Sequence, residues 1–212
     1  MLLKKEMQML GGELINIAYD CQVPAGGALA IDRTLFSKTV TAKIENEPNI
    51  NIIRDEAGKI PDGPVIVASG PLTSDALADD IKSFTQSEHL HFFDAIAPIV
   101  EKDSIDFDKA FYASRYDKGE ASYINCPMNE VEYAKFYNIL TNAPKIELKS
   151  FEKDAKFFES CLPIEVLASR GVDTLRFGPM KPVGLIDKRT GIENYAVVQL
   201  RQDNSAKTLY NL

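Results

Sequence analysis

The sequence predicts an α/β fold in two parts, and three observations carry that prediction. The run Val65-Ile66-Val67 is continuous and apolar, with turn residues on both sides: Pro61-Asp62-Gly63 before it and Ala68-Ser69-Gly70-Pro71 after it. Such a run reads as a buried strand covered on both faces. Ahead of it, apolar residues recur at helical spacing in two segments. From His89 onward the segments become short, aromatic and strand-like, with one helix among them, the pattern of a mixed α+β domain.

The elements follow in order. Leu3, Met7, Leu10, Leu14 and Ile17 have helical spacing, with a weak point at Gly11-Gly12. Val23-Pro24-Ala25-Gly26-Gly27 breaks that helix, and Ala28 to Ile31 is a short extended segment. Asp32 is a suitable N-cap for a second helix whose face carries Leu35, Phe36, Val40 and Ile44. Asn49 to Arg54 and Ala57 to Ile60 read as strands, then Val65 to Ser69 as the buried one; Thr73 or Ser74 caps a helix running to about Phe84. Beyond it, strands are expected at His89–Phe93, Ala110–Ser114, Ala121–Asn125, Ile146–Leu148, Thr174–Phe177, Val183–Ile186, Tyr195–Arg201 and from Thr208. A helix from Asn129 to Leu140 opens with Asn129 and Glu132 at capping-box spacing. Lys188-Arg189-Thr190-Gly191 reads as a hairpin turn.

Composition narrows the function classes. No apolar run approaches the ~20 residues that span a bilayer, and no long apolar region follows Lys4-Lys5 as a secretory signal requires. Cys21, Cys126 and Cys161 are too few and too scattered for a disulfide framework or a zinc site, which suits a reducing cytoplasm. His89 and His91 share a strand face without an acidic or thiol partner nearby and read as a surface or packed pair, so no metal site is expected. The formal net charge of −7 is uneven: residues 75–167 carry net −8, and residues 168–212 net +3. Phosphate contact needs local cations, so the C-terminal stretch is where an anionic partner is expected. The plainer reading there is a mixed, solvated surface.

Four groups of residues stand out. Gly70 and Pro71 end the apolar strand and let a ligand or another backbone come close. Strands that end this way are common in dinucleotide-binding folds, which also need a Gly-x-Gly-x-x-Gly turn after their first strand; none lies between Met1 and Gly63. Cys161 precedes Pro163, a residue suited to the first turn of a helix, where the dipole favours a thiolate. The competing reading of Cys161 is a small buried residue, and Cys126 also precedes a helix start. Gly178 to Gly184 is a rigid Gly/Pro loop carrying Lys181, with Arg170, Arg176 and Arg201 near it in sequence. These cations could contact phosphates, positioning a nucleic acid without reading its sequence; the alternative is a structural turn. Asp94, Glu101, Asp103, Asp106 and Asp108 form an acidic run that reads as a solvated loop.

Eight blocks resemble one family. They are Val23–Arg33, Ala68–Ser74, Ala97–Ser104, Ser114–Glu120, Asn125–Met128, Leu162–Glu165, Phe177–Gly184 and Tyr195–Asn204. The family is the folate- and FAD-dependent tRNA (uracil-5-)-methyltransferase, TrmFO, a relative of the GidA (MnmG) proteins, and the resemblance runs end to end. It implies a partial FAD-binding, Rossmann-like domain over residues 1–74 and an inserted mixed α+β domain over 75–212, incomplete at its C-terminus. It implies transfer of a methylene group from methylenetetrahydrofolate to C5 of a T-loop uridine in tRNA, with electrons from reduced flavin recharged by NAD(P)H. Cys161 occupies the family's Cys-Met/Leu-Pro-Ile-Glu block, where a thiolate adding to C6 of uracil would activate C5; protonation or support is the other role open to it. Gly70 and Pro71 fall to the cofactor, and Arg170, Arg176, Lys181 and Arg201 to tRNA.

The family's Gly-x-Gly-x-x-Gly turn, its second functional cysteine and its C-terminal return to the FAD domain have no counterpart in the sequence. The expectation is therefore an internal fragment lacking both ends, which alone neither holds FAD tightly nor methylates tRNA. Two other readings are a non-catalytic tRNA-binding or partner module and a GidA-like enzyme acting on wobble uridine. The oligomeric state is left open.

Overall fold

A computed structural model describes residues 2–70, 73–86, 97–144 and 162–212. The chain forms two compact units. One comprises Met1–Asn51, Ala97–Asn142 and Ile164–Leu212, the other Ile52–Ile96 and Ala143–Pro163.

The larger unit begins with α1 (Leu2–Met9) and α2 (Glu13–Asp20), split where Gly11 turns left-handed at φ 75°. A two-stranded antiparallel ribbon follows, β1 (Gln22–Val23) against β2 (Ala30–Ile31). Asp32 then caps α3 (Arg33–Glu45) as expected, its carboxylate accepting from the Leu35 N–H at 2.9 Å. The expected apolar face of α3 is not buried: Leu35 and Ile44 are exposed.

The main sheet has five strands in the order β3-β7-β6-β5-β4, every pairing antiparallel. They are β3 (Ile99–Glu101), β4 (Phe111–Ala113), β5 (Tyr123–Met128), β6 (Ala196–Gln202) and β7 (Leu209–Asn211). The long central pair β5–β6 sets the register, with Ile124 opposite Leu200 and Cys126 opposite Val198. Side chains alternate across a strand, so Ile124, Cys126, Val198 and Leu200 share a face. With Ala110 and Tyr210 they form one hydrophobic cluster. Further along the same face, Ala196 packs with Tyr133 of α5 (Glu130–Asn142), Ala168 of α6 (Ile164–Ser169), Leu175 of α7 (Thr174–Phe177) and Met180. The expected capping box is reciprocal: Asn129 N–H donates to Glu132, and Glu132 N–H to Asn129, at 3.0 and 2.9 Å.

Several sequence expectations give way. Thr174–Phe177 is one helical turn, not a strand, because only Leu175 needs burial and one turn supplies it. Val183–Ile186 is a turn, with Gly184 left-handed at φ 78° and the Leu185 N–H bonded back to the Pro182 carbonyl, so Lys188–Gly191 does not join two strands. Asn49–Arg54 and Ala57–Ile60 form no strand.

In the smaller unit, Ser74 caps α4 (Asp75–Thr85), its hydroxyl accepting from the Leu77 N–H at 3.4 Å. Val65–Ser69 is irregular and exposed, not a buried strand; Ile66 is 92 % exposed. A buried strand needs neighbours on both edges to take its N–H and C=O groups, and among the described residues no strand pairs with it. The strands expected at His89–Phe93 and Ile146–Leu148 lie outside the described residues.

Candidate functional site

The Gly/Pro loop that carries Lys181 is fastened from both sides. Met180 is buried in the α5–α7 cluster, and its carbonyl accepts from the Val197 N–H of β6 at 3.0 Å. The other fastening is Arg115, from the Ser114–Glu120 loop after β4. Its guanidinium donates to the Val183 carbonyl, to the Lys181 carbonyl at 3.0 Å and to Gln199 Oε1 at 2.9 Å. Gln199 Nε2 in turn donates to Asn125 Oδ1 at 2.9 Å, and Asn125 Nδ2 donates to the Ala113 and Phe111 carbonyls at 3.1 and 3.3 Å. Asn125 is fully buried, so its amide is satisfied on every side, as a buried polar network requires. The planar fork of arginine suits this multiple engagement; a lysine could not reproduce it. The Lys181 backbone is thus fixed while its side chain stays exposed.

Arg115 leads directly into Tyr116 and Asp117, both left-handed at φ 59° and 52°. The Tyr116 N–H donates to the Gly184 carbonyl at 2.7 Å, and its ring lies against Gly184. Asp117 pairs with Lys188 at 3.0 Å.

The other expected cations differ. Arg176 is half-buried: its guanidinium carbon sits 3.9 Å from the Tyr195 ring centroid and 4.6 Å from that of Phe177, and it pairs with Asp173 at 3.3 Å. Its Nε is buried without a hydrogen-bond partner. Arg170 closes α6, its N–H donating to the Leu167 carbonyl at 3.2 Å. Arg201 is exposed on β6, opposite Asn211 of β7. It stands four residues from Val197, about 13 Å along the strand, so Arg201 and the Lys181 loop are not one cluster.

Three charged anchors hold other parts of this unit. The Leu35 N–H, followed by the Ser205 N–H and hydroxyl that donate to Asp32 at 2.9 and 2.7 Å, draws its carboxyl down to about 2. Arg33 donates twice to Asp203, at 3.1 and 2.8 Å. Arg189 holds Asp187 and donates to the Phe107, Lys109 and Ala110 carbonyls, keeping the Asp187 carboxyl below its usual range. Beside it, a cavity of about 350 Å³ is lined by Phe107, Tyr112, Asp117 and Lys188 among others.

A family model described as glucose inhibited division protein A matches residues 1–212. The chain belongs to this family. It is 58 % identical over 211 residues to the methylenetetrahydrofolate–tRNA-(uracil-5-)-methyltransferase TrmFO of Brevibacillus brevis, and 56 % and 55 % identical to the proteins of the same name from Listeria monocytogenes and Bacillus subtilis. Each alignment covers all of this chain and 48 % of the relative. The chain therefore spans about half the length of these curated relatives.

Gly70, Pro71 and Cys161 are the remaining expected site residues. Cys161 and Pro71 lie outside the described residues. Gly70 is left-handed at φ 69°, with nothing within 4 Å of where a Cβ would stand. The Thr73 hydroxyl donates to the Gly70 carbonyl at 2.6 Å and sits 2.6 Å from the Ser69 hydroxyl. These polar groups satisfy one another beside an exposed run.

The remaining cysteines are not helix-start thiols. Cys21 is buried at the end of α2. Cys126 lies within β5, and burial pushes its thiol up. Among the described residues no group of three or more His, Cys, Asp or Glu side chains could hold a metal ion, and no helix is long and apolar enough to cross a membrane.

Arg115, Asn125 and Gln199 were not singled out by sequence reasoning. The only signal for them was membership of the Ser114–Glu120, Asn125–Met128 and Tyr195–Asn204 blocks, which says nothing of their mutual contact.

Proposed function

We propose that this chain is part of a folate- and FAD-dependent tRNA (uracil-5-)-methyltransferase that forms 5-methyluridine in the tRNA T-loop. The observation that carries this reading is 54–58 % identity across the whole chain to relatives of that name. In the whole enzyme, methylenetetrahydrofolate supplies the carbon, and reduced flavin, recharged by NAD(P)H in the cytoplasm, supplies the electrons. Residues 1–74 belong to its FAD-binding domain and 75–212 to the inserted domain. Cys161 is the thiol that adds to uracil C6 and activates C5. Lys181 contacts a tRNA phosphate, with Arg170, Arg176 and Arg201 as the further cationic contacts. The 212-residue chain alone neither holds flavin tightly nor methylates tRNA.

A chimera tests the reading. This chain replaces its aligned segment in the Bacillus subtilis relative, and 5-methyluridine formation is read by nucleoside mass spectrometry. The expected result is 5-methyluridine in the T-loop, lost on Cys161→Ala. A folded chimera that forms none overturns the reading, and undiminished activity in Cys161→Ala overturns the role of the thiol. A stoichiometric flavin spectrum from the purified 212-residue chain would overturn the last expectation.

A further inference from the structure

We propose that Tyr116 is a stacking platform for an unpaired base of the RNA, with Lys118 and Lys181 meeting the flanking phosphates; this rests on the tRNA reading above. Tyr116 is a large aromatic side chain left 58 % exposed, so core packing does not account for it. Its backbone nevertheless is held in a costly state. Tyr116 and Asp117 are consecutive non-glycine residues in the left-handed region, which persists only where the surroundings over-determine it.

Those surroundings are all present. The Tyr116 N–H is fixed on the Gly184 carbonyl at 2.7 Å, Asp117 donates its N–H to the Ser114 carbonyl at 3.1 Å, and Lys188 neutralises the Asp117 carboxylate at 3.0 Å. Arg115, the preceding residue, clamps the facing loop through the Lys181 and Val183 carbonyls. Gly184 completes the seat. A Cβ there would stand 2.7 Å from Cδ1 and Cε1 of the Tyr116 ring, so glycine is what lets the ring lie where it does.

The ring is therefore exposed, and little freedom remains to be lost when a ligand stacks on it. The charges around it select the ligand. Lys118 Nζ lies over the ring, 5.9 Å from its centroid, so a stacking base takes its place and leaves the ammonium to a flanking phosphate; Lys181 is exposed on the loop that seats the ring. The acids in the same loop are Asp117, already paired with Lys188, and Glu120. An aromatic face flanked by lysines matches an unpaired base between two phosphates, the form in which RNA loops are recognised.

The test uses the full 212-residue chain and a T-arm hairpin carrying 2-aminopurine at one unpaired loop position. The wild type is expected to bind and quench the probe. Tyr116→Ala should lose the quench and about tenfold in affinity while keeping the salt dependence, since stacking releases no counterions. Tyr116→Phe should keep both quench and affinity. Lys181→Gln should keep the quench and lower the salt slope by about one. Gly184→Ala, which displaces the ring from its seat, should behave as Tyr116→Ala. Thermal melts of each variant separate these effects from unfolding. If Tyr116→Ala binds and quenches like the wild type, this site falls and the tRNA reading stands. If Tyr116→Ala and Tyr116→Phe both lose affinity together with salt dependence and melting temperature, Tyr116 is structural and the proposal is overturned. If the wild-type chain binds no hairpin, tRNA contact by this chain and this site fall together.

Discussion

Arg115 donates to the Lys181 carbonyl at 3.0 Å across 66 residues of sequence. One cation is used to fix the backbone of another, whose own charge faces solvent. Arg115 also ends a buried chain of amides through Gln199 and Asn125, which ties the loop to the centre of the sheet.

Truncating Arg115 is therefore expected to cost more than an exposed arginine would. Arg115→Ala leaves Gln199 Oε1 and two loop carbonyls without their donor, at about 1–3 kcal/mol. Arg115→Lys should recover only a small part, because an ammonium cannot reach three acceptors in the geometry of the fork. Urea denaturation of both variants checks this; equal stability of Arg115→Lys and wild type would contradict it.

Gly184 and Gly191 form an internal control. Both are left-handed, at φ 78° and 63°, but only at Gly184 does a Cβ meet an aromatic ring; at Gly191 nothing lies within 4 Å. Gly191→Ala should cost about 1 kcal/mol, the backbone penalty alone. Gly184→Ala should cost clearly more, because the Tyr116 ring must move as well. Thermal melts of the two variants side by side give the comparison.

Asp32 sets an acid limit on the larger unit. Its carboxyl lies at about 2 in the folded chain, against an ordinary 3.8. On acidification the unfolded state takes up the proton first, so the contribution is complete above the ordinary value and fades as pH falls from about 4 towards 2. Asp32→Asn keeps a cap acceptor but loses the charge. Its stability deficit should be largest at neutral pH and shrink through that window in urea titrations at stepped pH. A deficit that does not change with pH would assign the effect to geometry alone.

Leu175 tests the core behind the loop. It is fully buried in the cluster that also holds Met180. Leu175→Ala should cost about 2–5 kcal/mol and loosen the Lys181 loop with it, read as faster amide exchange at Val197, whose N–H bonds to the Met180 carbonyl.

Features set by near neighbours were legible in the sequence. The Asp32 cap, the Asn129–Glu132 box and the break at Gly11-Gly12 each depend on residues within four positions, and all three are present. Val65–Val67 misled because an apolar run becomes a strand only when other strands take its hydrogen bonds. Thr174–Phe177 misled because four residues fit a strand and a helical turn equally. At the candidate site, the cationic character of the Lys181 loop could be read, but its fastening by Arg115 could not. The stacking of Arg176 on Tyr195, nineteen positions away, was equally out of reach of local sequence patterns.

The contacts of Asp32 with Ser205 and of Arg33 with Asp203 span 173 and 170 positions. During synthesis the helix capped by Asp32 leaves the ribosome long before its second anchor exists. With elongation at about 5–20 residues per second, that helix waits on the order of ten seconds for Ser205. Until then its carboxylate has only the Leu35 amide and water, and the helix docks onto Ser205 and Asp203 only once the residues between them have been made.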